Sequence, residues 1–471
     1  MKDSVRRISV AFLIAFVVVA ARLLFIGVAR GRDLAAHPRN PRVSAVRRDI
    51  VRGGIYLSGG EVVARDSAPG GPRLYTGPPG LAHLTGYEDA RYGTAGLEAS
   101  YNSDLLGLAR RGWIGGLARG LLTSGPGRGN DIVLTVDAGV QRAAERAMAG
   151  RRGAAVALDP RTGAVLALVS NPGFRAARIS SEWEHLVKDE TSPLFNRATL
   201  GLYPPGSAIK PIVAAIALSS GRVSPSDGFR CEGAIKVGTG PGDAREVSCP
   251  GGRAHGDVDL ASAIASSCNV AFAQIGWRIG REKLYNGFRS FRFGDTLPFD
   301  VPAAAGAIAT GGGLDRAALA QISIGQGTLV ASPLQMACAI GALANGGVMR
   351  RPYVVSEVRS PDGAVLGRTP ITILDVPVAA TVARCVSDMM VEAVDRGTAR
   401  AAALPGVRVA GKTGTAENPH GAPHAWFVGF APADDPRCVV AVVVENGGSG
   451  GQVAAPVARE ILRSALQDAL R

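Results

Sequence analysis

Three short polar motifs carry the chemistry this chain can perform. The first lies in Tyr203-Pro204-Pro205-Gly206-Ser207-Ala208-Ile209-Lys210-Pro211. A Pro-Pro-Gly turn runs into an apolar segment, 209–218, that reads as a buried helix. Residues three apart share a helix face, so the Lys210 amine falls beside the Ser207 hydroxyl. Pro211 is tolerated only in a first helical turn, which starts the helix close to Ser207. The positive end of the helix dipole there favours negative charge on the serine oxygen. A serine with an amine one turn away is a nucleophile with a candidate base. Standing alone, the same pattern also describes a helix cap followed by a solvated lysine.

The second motif is Ser267 and Asn269, around Cys268, in an apolar segment, 260–279, that reads as helical. The third is Lys412-Thr413-Gly414-Thr415 at the end of a β-rich run, 408–415. Gly414 lets a ligand backbone approach closely, and the hydroxyls with the Lys412 ammonium make an anion site. Each motif is common by chance. The order S-x-x-K, S-x-N, K-T-G, with each in a fitting local context, is not.

The elements that must position these residues follow from the apolar pattern. Runs 154–159 and 164–170 flank Pro160-Arg161-Thr162-Gly163 and predict a hairpin. A strand over 132–137 and a helix over 140–148 precede it, and helices are expected over 333–344 and 378–394. Runs 408–415, 425–431 and 438–445 predict three antiparallel strands, and 453–470 a closing amphipathic helix. Strands early, helices in the middle and strands late imply one antiparallel sheet assembled from both ends of a domain, with helices on both faces. The fold class is α/β in the α+β sense. Nearer the N-terminus, 49–65 alternates around Gly-Gly pairs at 53–54 and 59–60 and predicts short strands with turns there. The segment 112–130 is Gly-rich and reads as a linker, and 30–48 as a basic stalk. The expected divisions are a tail and anchor, 1–29, a small β-rich pedestal, 30–130, and a catalytic domain, 131–471.

The chain has 471 residues, 46% hydrophobic and 19% charged, enough for two or three cored domains and too apolar for global disorder. Its formal net charge of +13 is spread over scattered arginines with no nucleic-acid module, and suits an anionic membrane or cell-wall polymer. Residues 8–28 are long and apolar enough to span a bilayer, and no small-residue cleavage site follows, so an uncleaved anchor is expected rather than a signal peptide. Lys2, Arg6 and Arg7 before the span are opposed by Arg30, Arg32 and Arg39 after it, so charge leaves the orientation open. Of the six cysteines, Cys268, Cys338, Cys385 and Cys438 read as single buried thiols. Cys231 and Cys249 sit in a Gly-rich polar stretch and are the disulfide candidate for a domain outside the cytoplasm. No C-x-x-C pair and no His cluster at metal spacing occurs, so no metal and no cofactor is expected.

Taken together, the motifs resemble those of the penicillin-binding transpeptidases. YPPGSAIKP is similar to their active-serine segment, ASSCNVAF to their second motif and VAGKTGTAE to their third. LTVDAGVQ, SIGQGTLVASPLQMA and His424-Ala425-Trp426-Phe427-Val428-Gly429-Phe430 resemble further segments, and RGGIYLSGGEVVARD the pedestal start of class B enzymes. The short pedestal and single anchor are most similar to the actinobacterial penicillin-binding protein A group. The resemblance implies the penicillin-binding transpeptidase fold, a plasma-membrane anchor and an extracytoplasmic catalytic domain. It implies peptidoglycan D,D-transpeptidation, with Ser207 as nucleophile, Lys210 as base and Ser267 as proton relay. Asn269 would hold the substrate amide, and Lys412, Thr413, Gly414 and Thr415 its carboxylate end. Implied partners are peptidoglycan stem peptides, β-lactams and a SEDS-class glycosyltransferase in the membrane. Two rivals share parts of the pattern: an anchored class D-like β-lactamase or β-lactam sensor, and a non-catalytic scaffold.

Overall fold

The computed structural model describes residues 2–29, 47, 49–108, 127–238, 245–308 and 315–467. Helix α1 (Lys2–Ala29) contains the apolar stretch Val5–Ile26, 22 residues with mean hydropathy 2.6, a candidate membrane span by length and composition. The expected stalk over 30–48, apart from Arg47, and the 112–126 part of the expected linker lie outside the described residues.

Strands β1 (Ile55–Tyr56), β2 (Val62–Asp66) and β3 (Arg73–Tyr75) form an antiparallel meander. The expected turn at Gly53-Gly54 is not a hairpin. The Asn130 carbonyl occupies the space a side chain would need, 1.8 Å from where a Cβ at Gly53 would stand. Strand β4 (Asp131–Leu134) pairs parallel with β1 and antiparallel with Val355–Arg359, so residues on both sides of position 130 share one six-stranded sheet. Beside this sheet, Glu98 is fully buried between two arginines. Its carboxylate takes Arg52 Nε and Arg73 Nε at 2.7 Å each. Burial alone would raise the Glu98 pKa; the charges of Arg73 and Arg52 overcome that and hold it below its ordinary value.

Helix α2 (Ala138–Met148) is capped by Asp137, whose carboxylate accepts from Val140 N. It leads into the hairpin β5 (Gly153–Leu158) and β6 (Val165–Asn171), as the turn residues predict. Helix α3 (Lys210–Ser219) follows, nearly all of it buried. A small lobe then holds strands β7 (Phe229–Cys231), β8 (Ala234–Lys236), β9 (Glu246–Ser248) and β10 (Gly256–Val258), paired β7 with β10 and β8 with β9.

The single helix expected over 260–279 is two helices, α4 (Leu260–Ala265) and α5 (Asn269–Ile279). The break is a C-terminal cap of the Schellman type. Ser267 N bonds back to Ile264 O and Cys268 N to Ala263 O, with Ser267 in the left-handed region at φ 58°. Glycine is usual at that position, and the run of small apolar residues conceals the turn.

Helices α6 (Pro333–Ala344) and α7 (Ala380–Asp395) precede the strands β11 (Ala410–Ala416), β12 (His424–Ala431) and β13 (Cys438–Val444), and α8 (Ala454–Ala465) closes the fold. These strands join β5 and β6 in one antiparallel sheet of order β6-β5-β13-β12-β11. Helices α2 and α8 cover one face, and α6 and α7 the other. Strands β5 and β13 are therefore buried throughout, which explains why GAAVAL and CVVAVVV read as unbroken apolar runs rather than alternating ones.

Candidate active site

Ser207 lies in a 3₁₀ turn, Gly206–Ile209, directly ahead of α3. Two glycines fix where that turn sits. Gly206 adopts φ +52°, and a Cβ there would meet Thr415 O at 2.8 Å. A Cβ on Gly414 would meet Pro205 O at 2.7 Å and Ala208 N at 3.0 Å. The glycine of the third motif thus admits the serine turn itself onto β11, where the sequence reading assigned it to a ligand backbone. Two polar anchors hold the approach to the turn: Trp426 Nε1 donates to Pro204 O at 3.0 Å, and Tyr203 OH to Glu445 Oε1 at 2.7 Å.

Lys210 is fully buried, with its ammonium 5.3 Å from the Phe272 ring centroid. Its Nζ donates to Ser267 O at 2.7 Å, Asn269 Oδ1 at 2.7 Å and Ser267 Oγ at 3.3 Å. The spacing argument placed Lys210 against Ser207. The structure holds the amine on three acceptors of the second motif, with the serine in the 3₁₀ turn and the helix beginning at the lysine. Burial pulls the Lys210 pKa down to about 7, against the opposing influence of Cys268 and Cys249. Asn269 is held at both ends of its amide, since its Nδ2 donates to Ser248 O at 2.8 Å. The first two motifs are therefore one hydrogen-bonded unit.

Lys412 is also fully buried, on β11, the edge strand of the sheet. Its Nζ donates to Thr413 O at 2.9 Å and approaches Thr398 Oγ1 at 3.5 Å. Among the described residues it forms no ion pair with a carboxylate. Burial, and secondarily the Lys210 charge, lower its pKa well below the ordinary lysine value. The sequence reading kept Lys412 a plain cation; in the protein by itself its charge lacks a partner. Thr413 Oγ1 donates to Thr398 Oγ1 at 2.8 Å. Thr398, just beyond α7, has no motif around it and was not legible as a site residue.

Ser207, Ser267, Asn269, Thr413 and Thr415 line one open cleft of about 860 Å³. Lys210 and Lys412 lie beneath its floor. Arg400, at the start of a 3₁₀ turn, and Gln326 and Ser449, from loops, also face this cleft.

The Cys231–Cys249 disulfide expected from the sequence is not formed. Both are free thiols with Sγ atoms 3.7 Å apart, a contact rather than a bond. Cys268 is not a solitary buried thiol either, since its Sγ lies 3.8 Å from that of Cys249. Sequence spacing showed no C-x-x-C pair and no His cluster, yet in space Cys231, Cys249, His255 and Cys268 bring four donor atoms within 4.8 Å of one another.

Comparisons with known proteins agree with this geometry. Residues 153–463 match the penicillin binding protein transpeptidase domain, and 52–132 the penicillin binding protein A dimerisation domain. The peptidoglycan D,D-transpeptidase PbpA of Mycolicibacterium smegmatis is 35% identical over 499 residues, covering 99% of this chain and 100% of that protein. The peptidoglycan D,D-transpeptidase MrdA of Acinetobacter baumannii is 33% identical, over 79% of this chain and 58% of its own length. Penicillin-binding protein A of M. tuberculosis, in its ceftriaxone acyl-enzyme complex, superposes with TM-score 0.83 at 34% identity, over 90% of this chain and 100% of that one. The five-stranded sheet, the serine turn seated on its edge and these matches share one explanation: the chain belongs to the penicillin-binding protein transpeptidase family.

Proposed function

We propose that this protein is a membrane-anchored serine D,D-transpeptidase that cross-links peptidoglycan stem peptides and is acylated by β-lactams. The observation that carries this reading is the meeting of three separated motifs in one cleft, with a depressed-pKa lysine hydrogen-bonded to the second of them. Neutral Lys210 takes the Ser207 proton as the oxygen attacks the carbonyl between two terminal D-alanines. The C–N bond breaks, and Ser267, bonded to Lys210, delivers a proton to the departing amine. The acyl group stays on Ser207 until the amine of a second stem peptide displaces it and restores the serine hydroxyl. Backbone N–H groups of Ser207 and Thr415 hold the oxyanion, each donor worth about 3 kcal/mol of barrier. Asn269 orients the substrate amide.

The substrate carboxylate binds at Thr413 and Thr415 over Lys412. It supplies the carboxylate that Lys412 does not meet among the described residues, and favours its cationic form. A β-lactam presents the same carbonyl and carboxylate and opens onto Ser207. In this reading residues 1–29 are the cytoplasmic tail and anchor of a plasma-membrane protein, 30–130 the pedestal and 131–471 the extracytoplasmic transpeptidase part. A SEDS-class glycosyltransferase supplies the glycan strands beside it. The test is in vitro cross-linking on polymerised lipid-linked precursor. Cross-linked dimer with release of one D-alanine per bond is expected from wild type and absent with Ser207→Ala. Precursor trimmed or β-lactam hydrolysed without cross-links would contradict the assignment.

A further inference from the structure

The serine turn is anchored by a carboxylate that the transfer chemistry does not use. Glu445 follows directly on β13, and its side chain is 12% exposed. Its Oε1 accepts from Tyr203 OH at 2.7 Å and from Arg197 Nε at 2.8 Å, and its Oε2 pairs with Arg152 Nε. Its backbone is held as well. Glu445 N donates to Arg152 O at 2.7 Å, one step beyond the paired residues of β13 and β5.

The ordinary explanation of Glu445 is charge balance. Arg197 is 1% exposed and caps a loop, with Nη1 donating to Ser192 O at 3.0 Å and Nη2 to Thr191 O. A buried guanidinium needs a carboxylate, and Glu445 is the one it has. That account leaves Tyr203 out. The Tyr203 ring stands edge-on to His424 and Trp426 of β12, with centroids 5.5 and 6.2 Å away. Gly201 leaves room for it, since a Cβ there would stand 2.7 Å from the Tyr203 hydroxyl oxygen. A phenylalanine would fill this slot without needing a partner at its tip. Burial, and then the Glu445 charge, raise the Tyr203 pKa, so its hydroxyl remains a donor to the carboxylate.

The stiffness of the chain between Tyr203 and Ser207 gives that bond a use. Pro204 and Pro205 follow Tyr203, and each proline ring locks its own φ. Tyr203 N and O are both bonded to Ala331 at 3.0 Å, and Gly206 N donates to Gly325 O at 2.9 Å. These backbone bonds hold the segment at its two ends. The Tyr203 hydroxyl lies at the tip of the ring, so a bond there resists rotation of the segment with a long lever arm.

We propose that Glu445 is a positioning residue for acyl transfer. Through the Tyr203 hydroxyl it fixes the rigid segment 203–206, and so the angle at which Ser207 Oγ meets the substrate carbonyl. Arg197 and Arg152 hold the carboxylate where the tyrosine meets it. Neither Glu445 nor Tyr203 lines the cleft, so the effect reaches the reaction only through Ser207. The assignment rests on Ser207 as the acylated residue.

The test uses the full chain in detergent, reacted with a fluorescent penicillin by stopped flow over a range of concentrations, with the adduct mapped. Tyr203→Phe removes the bond and keeps the ring and the Arg197–Glu445 pair. Its limiting acylation rate should fall about 10- to 100-fold, with the half-saturating concentration changed by less than about 3-fold. Glu445→Gln, whose amide oxygen can still accept from Tyr203, should recover part of the rate lost in Glu445→Ala. The double variant Tyr203→Phe, Glu445→Ala should be no slower than the slower single variant, because one linkage is cut once. A Tyr203→Phe protein that acylates at the wild-type rate would overturn the assignment and leave Glu445 a counter-ion of Arg197. Multiplying effects in the double variant would overturn it too. Wild-type protein not labelled at Ser207 would overturn the catalytic reading, and this assignment with it. The Tyr203→Phe result stands even if Glu445→Ala fails to fold.

Discussion

Replacing Ser267 by glycine should make the protein more stable and less active at once. Ser267 sits at φ 58° in the capping position where α4 ends, and its hydroxyl touches Lys210 Nζ at 3.3 Å. A non-glycine residue in the left-handed region costs roughly 1–2 kcal/mol. Glycine removes that cost but adds freedom to the unfolded chain, which returns a few tenths to 1 kcal/mol. The net gain is about 1 kcal/mol, or roughly 1–2 °C in Tm for a catalytic part of this size. Loss of the proton relay should lower the second-order rate of penicillin acylation by about 10²–10⁴-fold. Ser267→Ala keeps the strained backbone, so it should lose activity to the same degree without the gain in Tm. The assays are differential scanning fluorimetry and stopped-flow acylation by a fluorescent penicillin, on all three proteins. A Ser267→Gly variant that unfolds at lower temperature, or acylates at the wild-type rate, would refute the view that strain is held here for function.

Because Lys210 must be neutral to accept a proton and its pKa lies at about 7, acylation should rise with pH through that value and fall off below it. A rate–pH profile checks this, and Lys210→Arg, which cannot deprotonate, should abolish acylation at every pH while Lys412→Arg keeps a part of it. Gly414→Ala drives a methyl group to 2.7 Å from Pro205 O, and should cost about 1–3 kcal/mol in denaturant unfolding and displace Ser207 enough to stop labelling. Glu98→Gln leaves Arg52 buried without its counter-charge and Arg73 with only Asp66, 3.3 Å away, and should destabilise the pedestal by about 3–5 kcal/mol as read by chemical denaturation. In the wild type Glu98 titrates below its unfolded value. Its contribution is thus complete above about pH 4.3 and is lost as pH falls through the lower folded pKa, which acid titration of the unfolding midpoint would show.

The central sheet was legible because its strands are apolar on both faces and its β5–β6 turn has clear chemistry. Residues 153–171 and 410–444 announced themselves, and their antiparallel union needed only the counting of strands. Ser207, Lys210, Ser267, Asn269 and Lys412 were legible as residue types at fixed spacing. Their contacts were not. Ser267 lies in a stretch of Ala, Ile and Ser that helix periodicity reads as continuous, and only the backbone reveals the cap. Cys231 stands 18 residues from Cys249, and Cys249 stands 19 from Cys268. Such separations carry no local pattern, and Cys231 meets His255 because β7 pairs with β10. The sheet through β4 was hidden for the same reason, since its partners come from residues 55–56 and 355–359. Thr398 gave no signal at all, because a lone threonine after a helix looks like any other.

Intact-mass analysis after penicillin treatment, followed by peptide mapping, tests the central claim most directly. The catalytic reading predicts one adduct per chain, stable over the assay and confined to the peptide carrying Ser207, and none on Ser207→Ala. An adduct that persists on Ser207→Ala, or wild-type protein that releases hydrolysed penicillin through many turnovers as a β-lactamase does, would contradict it.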